Sequence, residues 1–448
     1  MNNKNFSYLR EVFIGFFLVM LVGVTFGQQK KPVYANYQVS SLGLLGSISE
    51  PDHAIDGNIK NSSTIKVPAL HTVTQYLGFS TDGSFGHLRK IPVGTEIMIK
   101  FSMPQQVLGL LSGIKIGTFN NLKETDSGKY LSSINEELFN SVSLVALLKG
   151  YGVFEYKFTT TKECQGLYIS GFTAFSINFS ISAFHAYIME NAVFNSCTER
   201  NMPIDVLYGA RSTGIIDGLI AVSNPYNVLN DNPSEFAKLS TSLGVLTTSF
   251  IQTIFPTPST KPQLVRIVLE RPGGLLDLAL LSNFSIQTYL GNVPVGLPIK
   301  ASSFLALRLL PGTQKFEVLL KVNDLFDRVE IALDNTVTLL TTLNVYEIRR
   351  FPYMELLPEA ELAASLTACE RVDLKNAIAH ISTTDYDYYF FKEEVGGTSI
   401  PAIVNLSGKY FIEARDKSTG CAAPRQQVYA SVLPLPGKPH LTIMNVKN

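Results

Sequence analysis

Pro272 to Asn292 reads PGGLLDLALLSNFSIQTYLGN, and a fainter copy lies upstream at Pro104 to Asn120, PQQVLGLLSGIKIGTFN. With Leu110-Leu111-Ser112 set against Leu280-Leu281-Ser282, the copies share Ile116/Ile286, Thr118/Thr288 and the aromatic pair Phe119/Tyr289. Each copy follows an alternating apolar strand, Glu96–Met103 in one case and Leu264–Arg271 in the other. Gly273-Gly274 invites a ligand-loop reading, but the first copy has Gln105-Gln106 there. What recurs is a set of packing positions, the mark of a duplicated β domain.

The duplication extends in both directions. Upstream, Ser49, Pro51 and Asn58 correspond to Ser223, Pro225 and Asn232; downstream, Phe154-Glu155, Ile169 and Tyr187 correspond to Phe316-Glu317, Ile331 and Tyr346. The first copy begins near Tyr34 and the second near Tyr208. Short alternating runs split by Gly, Pro, Asn and Ser predict a β-sandwich for each copy, over residues 34–195 and 203–353. Leu138 to Leu148 reads as a short helix. A third set of strand signals, Tyr386–Lys392, Ser407–Asp416 and Gln426–Pro434, predicts a small immunoglobulin-like sandwich over residues 366–434, with 435–448 as a tail. The expected class is therefore all-β: two tandem β-sandwich domains followed by a small immunoglobulin-like β-sandwich.

Lys+Arg and Asp+Glu both number 37, so the formal net charge is zero. That removes the electrostatic footprint of a nucleic-acid binder. Lys4 and Arg10 precede the uncharged run Val12–Phe26, and Thr25 and Gly27 offer small residues for cleavage before Gln28. At about 15 residues the run is short for a membrane span, and it reads as a signal peptide over residues 1–27. No later segment is apolar and long enough to span a bilayer, so the mature chain is expected outside the cell, without a transmembrane helix.

An exported chain permits disulfides. Four cysteines allow three pairings, and sequence proximity favours Cys164–Cys197 and Cys369–Cys421. Cys164 aligns with Phe326 in the second copy, which also has no equivalent of Cys197. The spacings match no zinc ribbon or CxxC redox site.

The segments SNPYNVLNDN and PGGLLDLALLSNFSIQTYLGN resemble modules of secreted surface proteins of Bacteroidetes-type bacteria, in which paired β-sandwich repeats precede Ig-like domains. Ser49-Glu-Pro51-Asp-His-Ala54-Ile-Asp56-Gly57 is also similar to the Ala-x-Asp-Gly segment of discoidin-like, galactose-binding-type sandwiches. The resemblance implies a surface location, a non-enzymatic role and surface glycans or proteins as partners. It further implies a structural Ca²⁺ held by hard oxygen ligands from Asp52, Asp56, Asn58 and Ser63. The competing reading of those residues is an Asx turn, in which Asp56 caps its own bend. In the second copy Asn230-Asp231-Asn232 stands there, without the first carboxylate.

The sequence holds no HExxH, GxSxG, glycine-rich phosphate loop or CxxC. His185 lies in an alternating strand and reads as a structural histidine. Glu155 and Glu317 recur beside an aromatic residue and read as part of a solvated strand face. The leading expectation is a non-enzymatic adhesion or spacer protein with no cofactor beyond the calcium. A glycan-binding protein, using aromatic platforms such as Tyr76, Phe79, Phe250 or Phe255, is the alternative, and a carbohydrate-active enzyme comes third.

Overall fold

The computed structural model describes residues 30–103, 113–124, 130–135, 151–173, 178–194, 196–212, 222–230, 232–241, 247–259, 262–273, 283–300, 304, 306–334 and 342–435. The signal-peptide, Leu138–Leu148 helix and 435–448 tail expectations lie outside these residues, Leu435 excepted, as do residues 104–112 and 274–282 of the two leucine-rich stretches.

The first repeat comprises β1 (Lys30–Tyr34), β2 (Tyr37–Ser41), β3 (Ser47–Ser49), β4 (Ser63–Val67), β5 (Thr72–Gly78), β6 (Glu96–Met103), β7 (Ile114–Glu124), β8 (Tyr130–Asn135), β9 (Tyr151–Thr159), β10 (Gly166–Phe172) and β11 (Phe179–Asn191). After a short helix, α1 (Cys197–Asn201), the second has β12 (Asp205–Ser212), β13 (Val222–Ser223), β14 (Ala237–Ser240), β15 (Thr247–Ile254), β16 (Gln263–Glu270), β17 (Phe284–Leu290), β18 (Val293–Lys300), β19 (Ala306–Leu309), β20 (Phe316–Val322), β21 (Arg328–Asp334) and β22 (Thr342–Pro352).

The two repeats have matching topology. In the first, β3-β4-β11-β6-β9 forms one sheet, with β1 on β11, and β2-β5-β10-β7-β8 forms the other. In the second, the counterparts are β13-β14-β22-β16-β20-β19 and β12-β15-β21-β17-β18. Alternation fills each core. Ile97, Ile99, Phe101 and Met103 of β6 point into the first, and Val265, Ile267 and Leu269 of β16 into the second. Of the shared positions of the opening stretch, Ile116, Ile286, Thr118, Thr288 and Phe119 are buried, whereas Tyr289 is half-buried, and the Leu-Leu-Ser positions lie outside the described residues. Pro51 and Pro225 each open a short 3-10 helix after a residue at positive φ, Glu50 or Asn224.

The repeats are also one continuous sheet. β9 pairs with β12 through Tyr151–Val153 and Tyr208–Ala210, fusing the facing sheets into eleven strands. Gly152 makes this pairing fit, because a Cβ there would lie 2.3 Å from the Tyr208 carbonyl oxygen and 2.8 Å from the Gly209 Cα.

Both sandwiches belong to one compact unit, and residues 350–448 form most of a second. That unit contains helix α2 (Glu359–Ser365) and strands β23 (Thr367–Cys369), β24 (Val372–Asp373), β25 (Tyr386–Phe391), β26 (Ile403–Val404), β27 (Gly408–Asp416) and β28 (Gln426–Leu433). Its four-stranded sheet runs β23-β28-β27-β25, with β23 parallel to β28, and β24 and β26 make a separate pair. Leu366, Leu374, Phe390, Ile412 and Val428 fill its core.

The expected cysteine pairing is corrected. Cys164 and Cys369 keep their thiols, whereas Cys197 and Cys421 are disulfide-bonded. Cys164 is fully buried among the apolar residues of the first core, where it serves as a small apolar side chain. Nearness in sequence is a poor guide to pairing: Cys164 is taken into the first core, whereas Cys197 begins the short helix after β11.

Candidate functional site at the junction of the two sandwiches

Strand alternation decides what lies between the sandwiches. On β9 Phe154, Tyr156 and Phe158 pack with the first core, so Val153, Glu155 and Lys157 face the other way. On β6 the same logic turns Met98 and Lys100 outward. A bulge between Ala183 and His185 resets β11, setting His185 opposite Lys100 and Tyr187 opposite Met98. The result is a row His185–Lys100–Glu155 across three neighbouring strands.

The second sandwich presents a complementary row. Val206, Ile251, Phe255, Val329 and Ile331 point into its core, which leaves Asp205, Ile254 and Arg328 side by side on the outer face. The two rows meet with opposite signs in register. Lys100 Nζ lies 2.5 Å from Asp205 Oδ1, and His185 Nε2 lies 3.0 Å from Asp205 Oδ2. Arg328 Nη2 donates to Glu155 Oε1 at 2.5 Å, and the Tyr187 hydroxyl donates to Glu155 Oε2 at 2.5 Å. Apolar contacts among Val153, Phe184, Leu207 and Ile254 surround the pairs.

Lys100 and Glu155 are fully buried, and Asp205, Arg328 and His185 are at most 3% exposed. Taking such ions out of water is costly unless geometry and additional hydrogen bonds compensate. The compensation is partial. Asp205 Oδ1 also accepts the Val206 N–H at 2.7 Å, and the Lys100 ammonium lies 4.9 Å from the centre of the Tyr226 ring. Among the described residues, however, Arg328 Nε and Nη1 make no hydrogen bond, and burial pushes the Lys100 ammonium below its ordinary value. Burial pushes the Asp205 carboxyl up, but Lys100 and His185 outweigh it and hold the group below its ordinary value. Burial and the Glu155 carboxylate together push the Tyr187 phenol well up. Removing one member would leave its partner charged in an apolar layer, a loss of about 3–5 kcal/mol.

These positions overturn one reading and locate others. Glu155 and Glu317 are both buried, so neither lies on a solvated strand face. His185 is buried against Asp205. Lys100, Asp205 and Arg328 carry no sequence signal of a joint: Lys100 and Asp205 are lone charges in the apolar runs IMIKFSM and PIDVLYG, and Arg328 stands between two acids in FDRVEIAL.

Beside the charge rows β9 and β12 diverge, opening a groove of about 540 Å³. Tyr156, Lys157, Arg211, Gln252, Tyr289 and Asn292 line it. Behind them Glu330, 2% exposed, organises the donors. It accepts from both terminal nitrogens of Arg211 at 2.7 and 2.6 Å, from Gln252 Nε2 at 3.1 Å and from the Tyr289 hydroxyl at 3.3 Å. The Arg211 guanidinium is 4.1 Å from the centre of the Phe250 ring. Phe250 lines the groove but is buried and clusters with the first core, as Phe79 does; Phe255 belongs to the second core and Tyr76 to a separate buried aromatic cluster.

The residues considered for calcium fall into two places. Asp56 Oδ1 accepts the Asn58 N–H at 2.8 Å, an Asx turn, and Asp56 Oδ2 accepts from Asn61 Nδ2 at 2.8 Å. Asp52 Oδ1 accepts from Gln38 at 2.9 Å. Ser63 is buried and donates to Gln75 Oε1 at 2.6 Å. The second repeat builds the same turn without a carboxylate, Asn230 Oδ1 accepting the Asn232 N–H at 2.9 Å. Among the described residues no group of three or more His, Cys, Asp or Glu is placed to hold a metal ion. Among them also, no helix is long and apolar enough to cross a membrane.

No protein-family model matches the chain, and no curated protein matches it. Among solved structures it is similar to allantoicase from Saccharomyces cerevisiae, at 11% identity and a TM-score of 0.20, covering 63% of this chain and 77% of that one. The CBM32-1 and CBM32-2 domains of Clostridium perfringens ZmpB give 12% identity and a TM-score of 0.21, over 72% and 93% of the respective chains. The CBM22-1–CBM22-2 tandem of Paenibacillus barcinonensis Xyn10C gives 9% and 0.21, over 73% and 98%. Scores of this size carry no argument about what this chain binds.

Proposed function

We propose that this chain is a non-catalytic adhesion protein of the cell exterior that binds surface carbohydrate. The observation that carries the reading is the groove beside the junction, where aromatic rings and hydrogen-bonding groups converge on one concave surface. Its volume falls in the range of small-molecule sites, about 300–1,000 Å³. Sugar hydroxyls need planar, multivalent donors and acceptors, which Arg211, Gln252 and Asn292 offer. Sugar C–H faces need an aromatic partner, which Tyr289 offers. Glu330 preorganises Arg211, Gln252 and Tyr289 and neutralises the guanidinium, so the groove favours an uncharged saccharide.

The non-catalytic part rests on how the acid–base groups of the junction are used. Lys100, His185, Asp205, Glu155 and Arg328 are engaged with one another, and general acid–base chemistry needs a titratable group within reach of a substrate. The exterior location rests on the leader-like N-terminus and on the disulfide-bonded Cys197 and Cys421.

A glycan array probed with residues 28–448 tests the reading. Binding to neutral saccharides that falls at least about tenfold in Arg211→Ala/Gln252→Ala is expected, the size of losing two hydrogen-bond partners. Uniform silence of the wild-type protein would overturn it. A spacer role is the second reading, favoured by the continuous sheet, which makes one stiff body of two domains.

A further inference from the structure

Two neighbouring turns at one end of the first sandwich are built from the wrong residues for turns. The segment after β2 closes when the Gly46 N–H donates to the Gly43 carbonyl at 3.2 Å, placing Leu44 and Leu45 at the two central positions. They are 91% and 71% exposed. Before β5 a second turn closes from the His71 N–H to the Pro68 carbonyl at 3.3 Å, and its third residue is Leu70. Leu70 is 69% exposed and held at φ 64°, left-handed backbone that favours glycine or asparagine. Gly, Asn, Asp and Ser dominate such positions for physical reasons, and leucine supplies none of them.

The turns form one patch. A Cβ on Gly43 would lie 3.2 Å from His71 Cβ, and the Leu70 N–H donates to the Thr173 carbonyl at 2.8 Å, next to exposed Phe172. Exposed Leu42 adjoins them. Strained backbone that keeps apolar side chains in water marks a site with a partner.

We infer that this end of the first sandwich inserts its leucine turns into the headgroup–acyl boundary of a phospholipid bilayer. Convex tips fit a yielding surface, since they offer no pocket for a partner's side chain. Charge agrees. Residues 37–48, 64–74 and 166–173, which supply the end, contain no Asp or Glu; Lys66 and His71 are the residues there that can carry charge near neutral pH. An apolar tip flanked by cationic rather than acidic side chains suits anionic headgroups over partly inserted hydrocarbon. The site is separate from the carbohydrate groove and stands whether or not that groove binds sugar.

The test is co-sedimentation of residues 28–448, without the apolar leader, with vesicles of phosphatidylcholine with and without phosphatidylglycerol. The wild type should sediment with both and more with the anionic mixture. Leu44→Glu/Leu45→Glu should lose about tenfold or more per leucine returned to water. Leu70→Gly should raise Tm, by relieving the left-handed residue, yet weaken vesicle binding; a purely structural leucine would move both in one direction. A wild type that stays in the supernatant, or a double variant that sediments equally, would overturn the inference. So would a wild-type dimer by light scattering that the double variant converts to a monomer, since the leucines would then cover a second copy.

Discussion

The two sandwiches place a glutamate at the same position and complete it differently. Glu155 on β9 receives Arg328 from the other sandwich, and the edge of β9 is completed by β12. Glu317 on β20 receives Arg266 and Arg308 from its own sandwich, and the edge of β20 is completed by β19, the strand that carries Arg308. A recurring carboxylate thus serves once as a joint and once as part of a cap. The association is head-to-tail, a mode in which each added copy leaves a new edge that can take another. β19 covers the edge that would continue it, as natural sheets cover exposed edges to avoid pairing with other chains.

Mutation should separate joint from cap. Arg328→Ala leaves Glu155 charged in an apolar layer and should cost about 3–5 kcal/mol in chemical denaturation. Arg308→Ala should cost under about 1 kcal/mol, because its side chain is half exposed and Arg266 still serves Glu317. Equal losses at the two sites would remove the distinction.

The joint also sets the pH limits. Asp205 has its carboxyl held below 3.8 in the folded protein, so its contribution is full above 3.8 and is lost as pH falls through the lower folded value. Tyr187 has its phenol held above 10.0, so its contribution is full below 10.0 and is lost as pH rises beyond it. Melting temperature should therefore drop below about pH 4 and above about pH 10. Asp205→Asn should flatten the acid limb while lowering stability at neutral pH.

The sequence was legible where periodicity and repetition speak. Alternation in β6, β9 and their counterparts carried the all-β class, and Pro51/Pro225 and Phe119/Tyr289 marked the duplication. Near the start, the starting points Tyr34 and Tyr208 are not equivalent positions. The Asn36 N–H bonds the Gly78 carbonyl as the Ile204 N–H bonds the Ile254 carbonyl, which sets Tyr37 against Asp205. That substitution, an aromatic in one copy and an acid in the other, is part of what makes the joint. It stayed hidden because pairing between edge strands leaves no periodic trace, and a single charge in an apolar strand reads the same whether it faces water or a partner. The Ala-x-Asp-Gly segment misled in another way: an Asx turn and a calcium loop call on the same side chains, and the copy that uses asparagine distinguishes them only once its geometry is seen.

Smaller effects sharpen the remaining differences. Alkylation of non-reduced, denatured protein should modify two thiols, Cys164 and Cys369; four would contradict the observed disulfide state. Asp56→Asn should cost no more than about 0.5 kcal/mol, as asparagine makes the same turn in the second repeat, and EDTA should leave Tm unchanged.

The claim that the sandwiches are one rigid body is tested most directly by the distance between them. Spin labels at Val93→Cys and Leu297→Cys, both exposed, report across the junction in a Cys369→Ser background. The account predicts one narrow distance distribution that broadens when Arg328→Ala is added. A broad or multimodal distribution in the otherwise unaltered protein would contradict it.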